Sequence, residues 1–320
     1  MTPRRIFATR EIPGLEHLVG LPDTTLTVGD GSGALADTAQ GAHALVCTLV
    51  DRVDRPLLEA LTPPLGLVAT YAVGYENIDV GAARALGVRV SHTPGVLTNA
   101  TAEIAVALLL ACARRLAEGD RLVRAGGFTG GFSPGFHLGR DVYGKTLGIV
   151  GAGRIGRRVA ETLRRGFDCP LLVHSPQRRP HWQDWERDLG AEFVPLPELL
   201  ERADFVSLHC PQNDATRHLI DAPALARMKP TAILVNTARG PIVEEAALVQ
   251  ALVEGRIGGA GLDVFEHEPD VPQPLRSLDN VVLLPHIGSA THETRAAMGR
   301  LCVDSVIDFL AGRALSHRVV

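Results

Sequence analysis

The segment TLGIVGAGRIGRRVAETLRRG (146–166) constrains the chain more than any other. A short apolar run ends in Gly151, Gly153 and Gly156, and a pattern of helical period follows at once. A strand that passes through so tight a turn into a helix is the opening of a βα unit. More such units follow. PLLVHS (170–175), DFVSLHCP (204–211), AILVNTARG (232–240), GGAGLDVFE (258–266) and NVVLLPH (280–286) read as strands, continuous in apolar residues as buried parallel strands are. Helical patterns separate most of them: RIGRRVAETLRRG, the stretch entered from FVPLPELLERA (193–203), ATRHLIDAPALARMK (215–229) and EEAALVQALVEGRI (244–257). Strands in alternation with helices imply a parallel, doubly wound sheet.

Upstream the same α/β texture recurs without a glycine fingerprint. HALVCTL (43–49), LGLVAT (65–70) and VRVSH (88–92) read as strands, and DVGAARALG (79–87) as a short helix closed by Gly87. At residue 99 the pattern changes to one long helix running to Gly126, followed by GGFTGGFSPGFHLGRDVYGK (126–145), long and glycine-rich for a connection. The chain closes with a helix, HETRAAMGRLCVDSVIDFLAG (292–312), expected to return to the N-terminal part. The fold class expected is therefore α/β with two doubly wound parallel-sheet domains and a cleft between them. Residues 1–98 with 290–320 form a discontinuous, flavodoxin-like substrate domain, and 99–289 form a Rossmann-type dinucleotide-binding domain.

Composition narrows the function. Aromatics are only 4% of 320 residues against 46% hydrophobic, so the cores rest on Ala, Val, Leu and Ile. A formal net charge of −4 provides no global field for nucleic acid or an anionic membrane. The longest apolar segment, IAVALLLACA (104–113), is too short to span a bilayer. Cys47, Cys112, Cys169, Cys210 and Cys302 are not spaced as a metal clip or redox pair, and no signal peptide is evident, which points to free thiols in the cytoplasm. No His/Asp/Glu cluster has metal-ligand spacing, so no metal is expected.

In the glycine loop the first glycine permits the turn, the second lets the backbone approach a pyrophosphate, and the third lets helix pack on strand. The phosphates then meet unpaired N–H groups at the helix start. Dinucleotide folds usually carry Asp or Glu about 20 residues further on, to accept from the adenine ribose. Here LLVHSPQRRP (171–180) has Ser175 in that place, with Arg178 and Arg179 after it. Asp168 comes before the strand; Asp184 and Glu186 come in the next helix. A hydroxyl with two guanidiniums suits a 2′-phosphate, so NADP(H) is expected to be preferred, with NAD(H) possible.

Six motifs in order resemble the D-isomer-specific 2-hydroxyacid dehydrogenases: AVGYENID (72–79), PGVLTNATAE (94–103), LGIVGAGRIG (147–156), VNTARGPIVEEAAL (235–248), AGLDVFEHEP (260–269) and LLPHIGSAT (283–291). Within that family VSHTPGVLT and FSPGFHLGRDVYGKTLGIVG are most similar to the glyoxylate and hydroxypyruvate reductases. The resemblance implies a homodimer and hydride transfer between a nicotinamide and a small 2-oxo acid. It assigns Arg239 to the substrate carboxylate and carbonyl, where a planar fork fits. It assigns His286 as the acid–base and Glu268 as the carboxylate that orients its ring and favours the imidazolium. Glu266 is the rival to Glu268, which is preferred because it directly precedes Pro269. The backbone N–H groups of Val73 and Gly74 would hold the carboxylate, with Leu97 and Phe136 at the substrate. For the cofactor the resemblance adds Thr101, Arg154 and Ile155 around the glycine loop, Cys210, Pro211 and Thr216 after one strand, and Thr237 and Ala238 after the next. Asp263, His286 and Gly288 complete it. His92, His137, His174 and His209 are left as lining or structural residues.

In the reductases that the chain resembles, the region of GGFTGGFSPGFHLG (126–139) crosses to the other subunit, so Phe136 is expected at the partner's pocket, or with Phe128 and Phe132 in the dimer interface. Relatives with other substrates fit less well. Phosphite enzymes carry a lysine where this chain has Val73, and formate enzymes a glutamine where it has Glu268; phosphoglycerate enzymes often carry a further regulatory domain. D-lactate-type activity stays open, as does a nucleotide-sensing binding protein of the corepressor kind.

Overall fold

The computed structural model describes residues 3–176 and 183–320. Residues up to Leu97 together with Ser289–Val320 form one compact unit, and Thr98–Gly288 form the other.

The first unit is built on five parallel strands, β1 (Arg4–Ala8), β2 (Thr24–Val28), β3 (Ala42–Cys47), β4 (Leu67–Thr70) and β5 (Arg89–Ser91), in the order β2-β1-β3-β4-β5. That is the flavodoxin-like order. Helices α1 (Leu35–Thr38), α2 (Arg55–Leu61) and α3 (Val80–Ala85) connect the strands. Asp54 and Asp79 cap α2 and α3 by accepting from Leu57 N and Ala82 N. The final helix α12 (His292–Leu310) returns to this unit, and the Tyr71 hydroxyl donates to its Arg295 carbonyl at 2.8 Å. Beyond α12 the chain pairs with β5: Ser91 bridges Arg318, and Val90 N donates to Val320 O at 3.1 Å.

The second unit has seven parallel strands: β6 (Leu147–Val150), β7 (Leu171–His174), β8 (Glu192–Phe193), β9 (Phe205–Leu208), β10 (Ile233–Asn236), β11 (Gly259–Leu262) and β12 (Val281–Leu283). Their order, β12-β11-β10-β9-β6-β7-β8, reverses between β6 and β9. This is the Rossmann arrangement with its topological switch point beside β6. The central strands β6, β9, β10 and β11 are buried along their whole length and mostly apolar, because both faces are covered. Leu147, Ile149, Ile233 and Val235 enter one core with Leu108 and Leu109 of α4 (Thr98–Ala113) and Val159 and Leu163 of α6 (Arg154–Phe167). Val150, Val206 and Leu234 enter the other core. There they meet Leu199 of α8 (Leu196–Arg202), Leu225 of α9 (Ala222–Arg227) and Leu248 of α10 (Glu245–Val253). Helices α5 (Leu116–Arg124), α7 (Gln183–Leu189) and α11 (Gln273–Ser277) complete the unit.

Two helices differ from their sequence patterns. The expected continuous helix 99–126 is broken between α4 and α5, where Arg115 is left-handed at φ 54°. The segment 137–140 replaces the lost turn: His137 Nε2 lies 3.0 Å from Arg115 O, and Arg140 N donates to Ala113 O at 2.7 Å. In 215–229 only Ala222–Arg227 is helical. Asp221 caps it by accepting from Ala224 N, while Ile220 has left the helix to bridge Val243. Among the described residues no helix is long and apolar enough to cross a membrane.

Candidate functional site

The glycine loop sits at the switch point. Gly151 has φ 108°, and a Cβ there would lie 2.5 Å from Cys210 N. A Cβ on Gly156 would strike the Gly151 carbonyl. These two glycines are required by the protein's own backbone. Gly153 differs: a Cβ there would meet nothing within 4 Å. As N-cap of α6 it provides no side-chain cap, so the first N–H groups of the helix are not satisfied by a capping side chain. An open approach to an uncapped helix start is what a pyrophosphate needs. Arg154 and Ile155 open that helix. Gly151 N donates to His174 O at 2.8 Å, which holds the loop against the end of β7, and Ser175 follows directly. Arg178 and Arg179 lie outside the described residues.

On the other side of β6, β9 ends in a fixed turn. Cys210 is buried and its thiol is pushed up to about 11 by burial, which leaves it inert. Thr216 Oγ1 donates to Pro211 O at 2.7 Å and accepts from Asn213 N at 2.9 Å, closing the turn. His209 is pushed down to about 3 by burial, and its Nε2 lies 2.9 Å from Ser207 Oγ. It is neutral at physiological pH and adds no charge beneath the loop.

Asn236, which the sequence pattern did not single out, organises the turn after β10. Its Nδ2 donates to Arg239 O at 2.9 Å, and its Oδ1 accepts from Ala238 N at 3.0 Å. A buried Asn at a strand's carboxyl end, followed by a sharp turn, is the signal that would have revealed it. Within this turn the buried Thr237 Oγ1 has no hydrogen-bond partner among the described residues. With the uncapped start of α6, this orphan hydroxyl fits a bound dinucleotide. Arg239 is half-buried, and its Nη1 donates to Ala238 O at 2.6 Å.

The adjoining strands supply the remaining groups. Asp263 follows β11 and is buried; its Oδ1 accepts from Ile287 N and its Oδ2 from Gly288 N, both at 2.7 Å. Burial raises its carboxyl above the usual range, against the pull of those two donors. Thr101 Oγ1 donates to Gly288 O at 3.1 Å, so Thr101, Asp263 and Gly288 form one bonded group. His286 stands just before it with φ 55°, a conformation that this group holds in place. His286 Nδ1 lies 2.8 Å from Glu268 Oε2, and Phe265 N donates to Glu268 Oε1 at 3.1 Å. Burial works to raise the Glu268 carboxyl; the hydrogen bond and charge of His286, the Phe265 amide and the charge of Arg239 outweigh it and hold it below the usual range. Glu266 is engaged elsewhere, 2.7 Å from His218 Nε2.

Val73 and Gly74 follow β4 in the other unit, half-buried, and Leu97 is buried there. Phe136 is 46% exposed, with its ring centroid 6.5 Å from that of Phe128 and 5.9 Å from that of His137.

A doubly wound sheet with an open, uncapped glycine-rich helix start at its switch point defines a dinucleotide-binding protein. The family model described as "D-isomer specific 2-hydroxyacid dehydrogenase, NAD binding domain" matches residues 106–288. The glyoxylate reductase of Korarchaeum cryptofilum is 48% identical over 314 residues, 96% of this chain and 93% of that protein. Among solved structures, the NADPH-dependent glyoxylate/hydroxypyruvate reductase of Sinorhizobium meliloti, in complex with NADP and malonate, superposes with a TM-score of 0.87 at 33% identity, covering 100% of this chain and 97% of that one. The D-lactate dehydrogenase of Aquifex aeolicus, complexed with NAD and lactic acid, gives 0.87 at 28% identity, covering 99% of each chain. This chain belongs to the D-isomer-specific 2-hydroxyacid dehydrogenases.

Proposed function

We propose that the protein reduces small 2-oxo acids, glyoxylate and hydroxypyruvate above all, to their 2-hydroxy acids, with the D configuration where the product is chiral. It does so with NADPH in preference to NADH, as a homodimer in the cytoplasm. The observation that carries the proposal is the 2.8 Å contact of His286 Nδ1 with Glu268 Oε2, in a unit where the charge of Arg239 also reaches Glu268.

A carboxylate only accepts, so Nδ1 must donate to it, and Nε2 is left to carry the transferable proton. A dinucleotide held at the Gly151–Gly156 loop and the Thr237 turn would supply the hydride for the carbonyl carbon. As negative charge grows on the carbonyl oxygen, His286 Nε2 gives up its proton to it, and Glu268 keeps the ring oriented for that transfer. Arg239 offers a planar pair of donors to the carboxylate and the carbonyl oxygen, and the Val73 and Gly74 amides complete the carboxylate's shell. Thr101 and Asp263 hold the backbone from which His286 projects. Ser175 with Arg178 and Arg179 would receive the 2′-phosphate.

The test is oxidation of NADPH and NADH with glyoxylate, hydroxypyruvate, pyruvate and phenylpyruvate. The expected order of kcat/KM places glyoxylate and hydroxypyruvate first with NADPH. Pyruvate in first place would make it a D-lactate-type enzyme; nucleotide binding with no turnover of any oxo acid would make it a nucleotide-sensing protein.

A further inference from the structure

We propose that His92 is a positioning residue for the substrate carboxylate. It fixes the peptide plane between Val73 and Gly74 by bonding to its carbonyl. The proposal rests on the reading that the amide of that same peptide receives the carboxylate.

The geometry is local to the first unit. His92 Nδ1 lies 2.9 Å from Val73 O. That oxygen can only accept, so Nδ1 donates. The Val73 carbonyl and the Gly74 N–H belong to one planar trans unit and point in opposite directions. Holding the carbonyl toward His92 therefore aims the Gly74 N–H the other way. The constraint matters here because Gly74 has no side chain to bias its own torsions, and a flipped peptide would present a carbonyl oxygen to an anion. A donor on the carbonyl also polarises the peptide and strengthens its N–H as a donor.

His92 is itself held on both sides. Ser91 pairs with Ala69 of β4 and bridges Arg318 of the C-terminal segment. His92 N donates to His317 O at 3.2 Å, and Thr93 N donates to Ala72 O at 2.8 Å, one residue before the turn. The Tyr75 ring meets the imidazole edge-on, with centroids 5.6 Å apart at 80°, and sets its plane. Backbone pairing fixes where the ring starts, and Tyr75 fixes how it is turned. The imidazole thus reaches Val73 from a braced position and does not need to contact substrate.

The test compares His92→Leu, His92→Asn and Gly74→Pro in the full-length protein. An Asn side chain can place Nδ2 where His92 has Nδ1, whereas Leu keeps bulk and removes the donor. The readouts are KM and kcat for glyoxylate, the inhibition constant of oxalate with NADPH saturating, the NADPH dissociation constant, and the melting temperature. His92→Leu is expected to raise KM and the oxalate constant about tenfold, the worth of one hydrogen bond to an ion, with kcat and NADPH binding nearly unchanged. His92→Asn should restore most of the loss. A folded His92→Leu protein within about twofold of wild type would overturn the proposal, and so would a His92→Asn protein as impaired as His92→Leu. Gly74→Pro deletes the amide hydrogen itself. If it folds and binds oxalate normally, the reading of the Gly74 amide fails. If it loses oxalate while His92→Leu does not, only the role of His92 fails.

Discussion

His286 and Glu268 are bonded to each other, Nδ1 to Oε2 at 2.8 Å, while Glu266, only two residues from Glu268, is bonded to His218. The two carboxylates thus belong to different networks. Glu268 Oε2 accepts from the ring that gives up the proton, and the hydrogen bond and charge of His286 help to hold the Glu268 carboxyl below its usual range. Glu268→Gln should therefore move the alkaline limb of the reduction profile toward acid. His286→Gln should lower kcat by about 10²–10⁴, the range of general acid catalysis, with NADPH binding retained. A pH–rate profile of Glu268→Gln that overlays the wild type would remove Glu268 from the mechanism.

Glu266 predicts a different signature. Burial works to raise its carboxyl, but the His218 hydrogen bond, the Glu245 amide, and the charges of His218 and His267 hold it below the usual range. A depressed folded-state value gives stability that is complete above the unfolded carboxylate pKa and is lost as pH falls through the folded one. Glu266→Gln should flatten the acid limb of melting temperature against pH while leaving the pH–rate profile in place. A shifted rate profile with unaltered melting would exchange the roles of the two glutamates.

Gly240 joins the Arg239 turn to the segment that leads to Glu268. A Cβ on Gly240 would fall on the Phe265 carbonyl and close to the Glu266 amide, both backbone groups that cannot swing aside. Gly240→Ala should cost about 1–3 kcal/mol, the range for overpacking. The accompanying shift between Arg239 and Glu268 should lower kcat/KM for the oxo acid more than it weakens NADPH binding. Thermal melting and steady-state kinetics check both; wild-type values in both would mean that the two segments are not in register.

How much of this was legible in the sequence depended on burial. The central strands of the second unit are covered on both faces, so they read as apolar runs without alternation, whereas the short edge strand β8 is partly exposed and gave no run. β2, TTLTV, is partly exposed and gave no such run. The break after Ala113 was invisible because Arg114 and Arg115 are good helix formers. It is imposed by distant residues, His137 and Arg140, which bond to the backbone that the helix gives up. The site divides in the same way. His286 and Arg239 lay in recognisable motifs, and the glycines announced their turn. Asn236 and His92 act through backbone groups, Arg239 O and Val73 O, that no side-chain pattern marks.

The cofactor preference is testable at Ser175, which directly follows β7 beside the glycine loop. An acid there would accept from a ribose 2′-OH and repel a 2′-phosphate. Wild-type kcat/KM should favour NADPH. Ser175→Asp combined with Arg178→Ala and Arg179→Ala should reverse that preference. Better use of NADH by the wild type would show that the two arginines do not engage a phosphate.

The segment 126–139 carries Phe128, Phe132 and Phe136, which are 55%, 91% and 46% exposed in the single chain. Three exposed rings in one segment are an aggregation liability unless something covers them. Phe128 and Phe136 face each other at 6.5 Å and Phe136 also meets His137, so Phe136 is presented from a small cluster, whereas Phe132 stands almost wholly in solvent. His137 ties the cluster to the start of α5 through its 3.0 Å contact with Arg115 O. A second copy of the chain is the expected cover, with Phe136 limiting the partner's pocket to small oxo acids. Sedimentation at micromolar concentration should give a dimer. Phe136→Ala should leave that dimer intact and raise kcat/KM for phenylpyruvate relative to glyoxylate. A stable Phe136→Ala dimer with unchanged selectivity would confine the ring to interface packing, and a monomeric wild type would remove the partner's pocket from consideration altogether.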